Sequence, residues 1–290
     1  MNVESSSWCA QLITRQRSGA CVAPFTSIPR SAHFKFSSDL KSVILNLGGL
    51  NTSTPNWMSA QGQDWWVWYN HARFMRRKGI YVDLAANDPI WRSNTFFFDV
   101  CMGWSGLCIE PSKMHHKLIR ERRSCKLIPT CISDKENRSV KFNDGAGWNG
   151  GASAVLTPGD TSPQQKLKGE VKKINCKTLK NVVDQQNVRH IDFLSLDVEG
   201  HEQAVVSGFN FSETTVDIVI SENPAIRAHL RAFGYRELNA SRHFGDTIFL
   251  RNGFVPLIEK VRGHVMDWKD MKRCNNKRCD PRSSSCWWGE

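Results

Sequence analysis

The 290-residue sequence has no uninterrupted apolar run approaching the roughly 18 residues that a membrane-spanning helix needs. It has no internal repeat, which excludes solenoids and propellers. The first 40 residues lack the apolar stretch of a signal peptide and hold only Glu4 and Asp39 as acids. Their Ser- and Arg-rich composition is that of an organelle transit sequence or a plain extension. Metal-ligand spacing is missing too. The tail Cys274-x4-Cys279-x6-Cys286, with His264 upstream, departs from the usual zinc patterns, so a disulfide or an unpaired tail is expected there and no metal is expected. What is present is a folding composition, 40% hydrophobic and 23% charged, enough to bury a core without staples. The expectation is a soluble chain, cytoplasmic or organellar.

The net charge of +11 is concentrated at the ends, with +3 over residues 1–45 and +5 over 260–282. A groove tracking phosphates places its cations on the folded scaffold, so nucleic acid is a secondary expectation, through the basic ends only. The ten cysteines do not form a compact framework. Cys101, Cys108, Cys125 and Cys131 lie in or beside apolar runs, where free cysteine acts as a small hydrophobe, and they are expected to be buried thiols. Four N-x-S/T triplets, at Asn51, Asn137, Asn210 and Asn239, matter only in a secretory compartment.

Along the chain, DWWVWYNHARFMRRK (64–78) predicts a helix with Trp65, Tyr69 and Arg73 on one line and a basic last turn. Strands follow at 80–84, 106–110, 125–133, 191–197 and 215–221, with two more near 235–240 and 246–251. Helices are expected at 93–104 with Ser93 as cap, 113–122, 177–187, 200–208 and 225–234. The Gly- and Pro-rich segment 143–165, which includes Trp148, reads as a long loop, either a lid over the site or a disordered insertion. Strands alternating with helices imply a doubly wound, mostly parallel α/β sheet over residues 46–258, flanked by basic appendages at 1–45 and 259–290.

In such a sheet ligands bind beyond the carboxyl ends of the strands. Asp83, Glu110, Asp134 and Asp197 end four of them, so four carboxylates are expected on one rim. The first strand is followed by A-A-N-D-P instead of G-x-G-x-x-G, which disfavours a pyrophosphate-bearing nicotinamide cofactor. Carboxylates suit ribose hydroxyls and an ammonium group, both of which S-adenosylmethionine carries without a phosphate.

Taken in order, GIYVDLAANDP, SNTFFF, GWSGLCIEPS, CKLIPTCIS and IDFLSLDVEGHE resemble the FkbM family of S-adenosylmethionine-dependent methyltransferases over about residues 60–252. The resemblance implies a Rossmann-like class I fold, with seven strands of which the last is antiparallel, and methyl transfer to a hydroxyl of a small metabolite or glycan. It implies cofactor contacts from Asp83, Ala85, Ala86, Asn87, Glu110, Pro111, Ile132, Ser133 and Asp197, with Glu110 taking both ribose hydroxyls. The catalytic candidates are Asp197, Glu199 and His201. The family's usual glycine is Ala85 here, a strained residue if that position has positive φ. Two rival expectations are a non-catalytic interaction protein that keeps this fold, and a methyltransferase acting on nucleic acid.

Overall fold

The computed structural model describes residues 58–59, 61–145, 153–156, 169–238, 246–263 and 265. The expected targeting segment, Trp148 and the tail cysteines lie outside them. No helix among the described residues is long and apolar enough to cross a membrane.

Seven strands form one sheet: β1 Ile80–Leu84, β2 Ser105–Ile109, β3 Lys126–Ile128, β7 His190–Leu196, β8 Thr215–Ser221, β9 Tyr235–Glu237 and β10 Thr247–Arg251. Their order is β3-β2-β1-β7-β8-β10-β9, and β10 runs antiparallel to both neighbours. This is the expected mostly parallel doubly wound sheet. Its central strands are apolar because they are covered on both sides. Tyr81 and Phe193 join one core cluster, with Trp65, Trp66 and Phe98. Val82, Leu84, Leu194 and Leu196 join the other, with Leu179, Val182 and Val205.

The helices are α1 Gln63–Asn70, α2 Lys113–Arg122, α3 Leu179–Gln185, α4 Glu202–Ser207, α5 Arg227–Ala232 and α6 Leu257–Arg262. Several expected helices are shorter than the sequence predicts, interrupted or replaced. The helix expected over 64–78 ends at Asn70 and yields to a 3-10 turn, Ala72–Phe74. The basic run beyond it serves the sheet, because Arg77 reaches Asp192 at the start of β7 through two hydrogen bonds of 3.0 and 2.6 Å. The stripe itself exists: Trp65 stacks on Tyr69, and the Arg73 guanidinium lies 3.8 Å from the Tyr69 ring centre. The helix expected over 93–104 is a π-turn, Phe97–Cys101, and Ser93 Oγ accepts from Phe96 N–H at 3.1 Å, as a cap does. In the last expected helix a 3-10 turn, Pro224–Ile226, precedes α5. α6 packs against α1 and spans the expected domain boundary at 258.

Strand three is also shorter than predicted, because the chain leaves the sheet at Pro129, and Ile132 pairs instead with Lys177 in an isolated bridge. A second sheet was not anticipated. β4 Arg138–Asp144 and β6 Glu170–Cys176 pair antiparallel along seven residues, with the short β5 Ala154–Val155 on the other edge of β4. The segment expected to be one long loop over 143–165 is therefore partly strand, and its remaining parts, 146–152 and 157–165, lie outside the described residues.

The cysteines need a larger correction. Cys108 is bonded to Cys125 and Cys131 to Cys176, while Cys101 is also in a disulfide. The pairing of β2 with β3 and the isolated Ile132–Lys177 bridge bring the paired Cα atoms to 5.8 and 4.5 Å, a proximity that sequence spacing does not reveal.

Candidate functional site

The loop after β1 turns sharply under β2. Ala85 and Ala86 N–H both donate to the Ile109 carbonyl, at 2.9 and 3.2 Å. This turn requires left-handed backbone at Ala85 (φ 59) and Asn87 (φ 48). Asparagine tolerates that conformation, whereas alanine is strained in it by about 1–2 kcal/mol. Glu110, just past β2, braces the same loop: Oε2 accepts from Asn87 N–H at 2.8 Å and Oε1 from Ser112 N–H at 2.7 Å. Burial pushes its carboxyl up to about 7 against those two hydrogen bonds.

A cleft opens beside this loop, lined by Leu84, Ala85, Ile109, Pro111, Ile132 and His201, and closed by Phe142, Ala154 and Val155 of the second sheet. Its walls are aliphatic and aromatic, suited to a flat heterocycle. Ala86 faces the core instead of the cleft. Ser133 is fully buried, and its hydroxyl lies 3.0 Å from His201 Nε2. Gly208 makes this approach possible, since a β-carbon there would lie 2.4 Å from the Ser133 carbonyl oxygen.

Asp83 is placed differently from the rim expected of it. It is only 3% exposed and accepts from the Thr95 hydroxyl, and Thr95 in turn accepts from Arg123 at 2.7 Å. Burial raises its pKa. It belongs to this buried network and does not line the cleft. Asp134 pairs with Arg138 at 2.9 Å.

The turn after β7 builds a second, acidic part of the site. Glu202, fully buried at the start of α4, accepts from Val198 and Gly200 N–H at 3.0 and 3.2 Å and from Asn223 Nδ2 at 3.0 Å. This bracing sets Glu199 at φ 55, where its N–H donates to Glu222 Oε1 at 3.0 Å. Carboxyl oxygens of Asp197 and Glu222 lie within 4.8 Å of one another, an arrangement in which the two groups can share a proton. Burial first, then repulsion among Asp197, Glu199, Glu222, Glu202 and Asp246, raises both pKa values.

Ligand oxygens of Asp197, Glu199 and Glu222 all lie within 4.8 Å of each other, so a set able to hold a divalent cation exists where none was expected. A shared proton satisfies the same pair of carboxyls without an ion. The structure thus brings Asp197 and Glu199 together with Glu222 and places His201 with the apolar cleft, its pKa lowered by burial. Sequence reasoning missed Glu222. The available signal was its position: it follows β8, the strand adjacent to β7, as Asp197 follows β7.

The sheet order, the cleft beyond β1 and β2, and carboxylates after β7 and β8 define a Rossmann-like methyltransferase. A family model described as the methyltransferase FkbM domain matches residues 83–237, and the chain belongs to that family. No curated protein and no solved structure gives a significant match.

Proposed function

We propose that the protein transfers a methyl group from S-adenosylmethionine to a hydroxyl of a small metabolite or glycan. The observation that carries this reading is an orphaned atom: Asn87 Oδ1, in the loop braced by Glu110, is buried without a hydrogen-bond partner among the described residues. An acceptor atom left unpaired costs about 1–3 kcal/mol, which a ligand donor recovers. S-adenosylmethionine fits, because its adenine suits the aliphatic cleft and its ribose hydroxyls and ammonium group are donors for Asn87 and Glu110. When bound, it supplies an electrophilic methyl group for direct displacement by an oxygen nucleophile. Pro111, Ile132 and Val155 would sandwich the heterocycle, and Ser133 fixes His201 at the cleft wall.

The proton of the acceptor hydroxyl then needs a destination. The Asp197–Glu222 pair supports this role, since its ionised member has a raised pKa and is a stronger base than an ordinary carboxylate. A positioned base contributes about 10²–10⁴-fold. The neutral His201 imidazole, hydrogen-bonded to Ser133, is assigned to positioning the cofactor.

The test is a thermal titration with S-adenosylhomocysteine, with NAD as control, followed by labelled-methyl transfer to hydroxylated acceptors. Ligand at 100 times its dissociation constant adds about 2.7 kcal/mol of stability. A shift that is lost in Glu110→Ala supports the reading. No shift at millimolar ligand overturns it.

A further inference from the structure

We propose that the chain resides in an oxidising, glycosylating compartment and carries an N-linked glycan on Asn137. Two independent observations converge on this. The first is redox chemistry: Cys108–Cys125 and Cys131–Cys176 are disulfides inside the folded domain, and Cys101 is in another. Such bonds persist in secretory and other oxidising spaces and are rare where glutathione keeps thiols reduced. A domain of this size does not need them to build its core, which makes their presence informative about the compartment.

The second is the presentation of one triplet. Asn137-Arg138-Ser139 occupies the turn that enters β4, and all three residues are exposed. Asn137 sits at φ 57, which holds it at the tip of the turn, and its amide has no hydrogen-bond partner among the described residues. Arg138 leans back to Asp134, and Ser139 stands opposite Asn175 at the start of the antiparallel pair.

The competing triplet is poorly presented. At Asn210 the amide nitrogen donates to Glu213 at 2.7 Å and its oxygen accepts from Ser212 N–H at 3.0 Å. The middle residue there, Phe211, is buried among Phe209, Phe233 and Tyr235. Asn51 and Asn239 lie outside the described residues.

The transfer is redox-neutral. Asn137 Nδ2 forms a bond to C1 of an oligosaccharide borne on a lipid diphosphate, the bond from C1 to the diphosphate oxygen breaks, the lipid diphosphate leaves and the amide gives up one proton. A bulky, solvated glycan at this turn extends into water without displacing any packed side chain.

The experiment uses the full chain isolated from its own cells under alkylating conditions. Expected are Cys108, Cys125, Cys131 and Cys176 protected from alkylation until reduction, and a peptide spanning Asn137 that appears only after peptide-N-glycosidase, with Asp at position 137. Free thiols at those cysteines, or an unmodified Asn137, overturn the proposal. Variants separate the triplet from damage to the turn: Ser139→Ala loses the glycan and Ser139→Thr keeps it. Loss in both, or retention in both, counts against Asn137 as the acceptor.

Discussion

Arg123 offers a direct test of what the buried polar network around Asp83 contributes. Its side chain is fully buried, and its five N–H groups make five hydrogen bonds: Nε to Asp99 at 2.6 Å, Nη1 to the Pro89 carbonyl and Ser93 Oγ at 3.2 and 3.1 Å, Nη2 to Tyr81 and Thr95 hydroxyls at 3.1 and 2.7 Å. Through Thr95 the chain of bonds continues to Asp83. Arg123→Lys keeps the charge but offers three donors, so at least two of these acceptors lose their partner. At about 1–3 kcal/mol for each buried group left unsatisfied, the cost is about 2–6 kcal/mol. For a domain of this size that lowers the melting temperature by about 4–24 °C. Arg123→Met also leaves Asp99 as a buried unpaired charge and is expected to cost at least about 3–5 kcal/mol. Urea denaturation and calorimetry measure both. A loss below about 1 kcal/mol for the lysine variant refutes the account, because it means the network is replaceable by packing.

Other outcomes follow from single features. Reducing the disulfides removes loops of 17 and 45 residues from the constrained unfolded chain, about 3 and 4 kcal/mol on the chain-entropy model; a reduced protein with an unchanged melt contradicts this. Ala85→Gly relieves about 1–2 kcal/mol of left-handed strain against about 0.5–1 kcal/mol of added chain freedom, so a gain of up to about 1.5 kcal/mol is expected; a destabilised variant shows that φ 59 is not strained there. For pH, the raised carboxyls of Asp197 and Glu222 keep the folded state more protonated than the unfolded one from about pH 4 upward, so stability falls as pH rises, until about 8 for Asp197 and about 10 for Glu222. The buried His71 and His115, lowered to about 4, act with the opposite sign only below about pH 6.5. Glu222→Gln flattens the alkaline slope, and equal slopes in both proteins count against the shared proton.

Most of the parallel sheet is legible in the sequence because strands covered on both faces are written as apolar runs, as IDFLSLD and TVDIVIS show. The β4–β6 hairpin is not, because EVKKINC fully buries only Cys176 and exposes Lys173 and Asn175, leaving too weak an alternation to read. Helix ends fail for a tertiary reason. Nothing local to Arg77 says that Asp192, far along the chain, will take both guanidinium arms. The disulfides fail similarly, since only the register of β2 against β3 brings Cys108 beside Cys125.

At the site the acids are legible as strand ends, but their roles are not, because direction depends on what lies beneath each strand. Asp83 shares a face of β1 with Tyr81 and so turns toward Thr95 and Arg123, while Glu110 lies one residue beyond its strand and reaches across to Asn87. His201 illustrates the same dependence. From sequence it is adjacent to Asp197 and Glu199, yet the turn that sends Val198 and Gly200 N–H to Glu202 directs its ring to Ser133 at the cleft. The carboxylate adjacent in space comes instead from β8, as Glu222. The separation has a chemical consequence. A base drawn from the Asp197–Glu222 pair can exchange its proton without disturbing the wall against which a cofactor would rest, so a Glu222→Gln variant that loses transfer while keeping its S-adenosylhomocysteine shift would support separate roles for the two halves of the site.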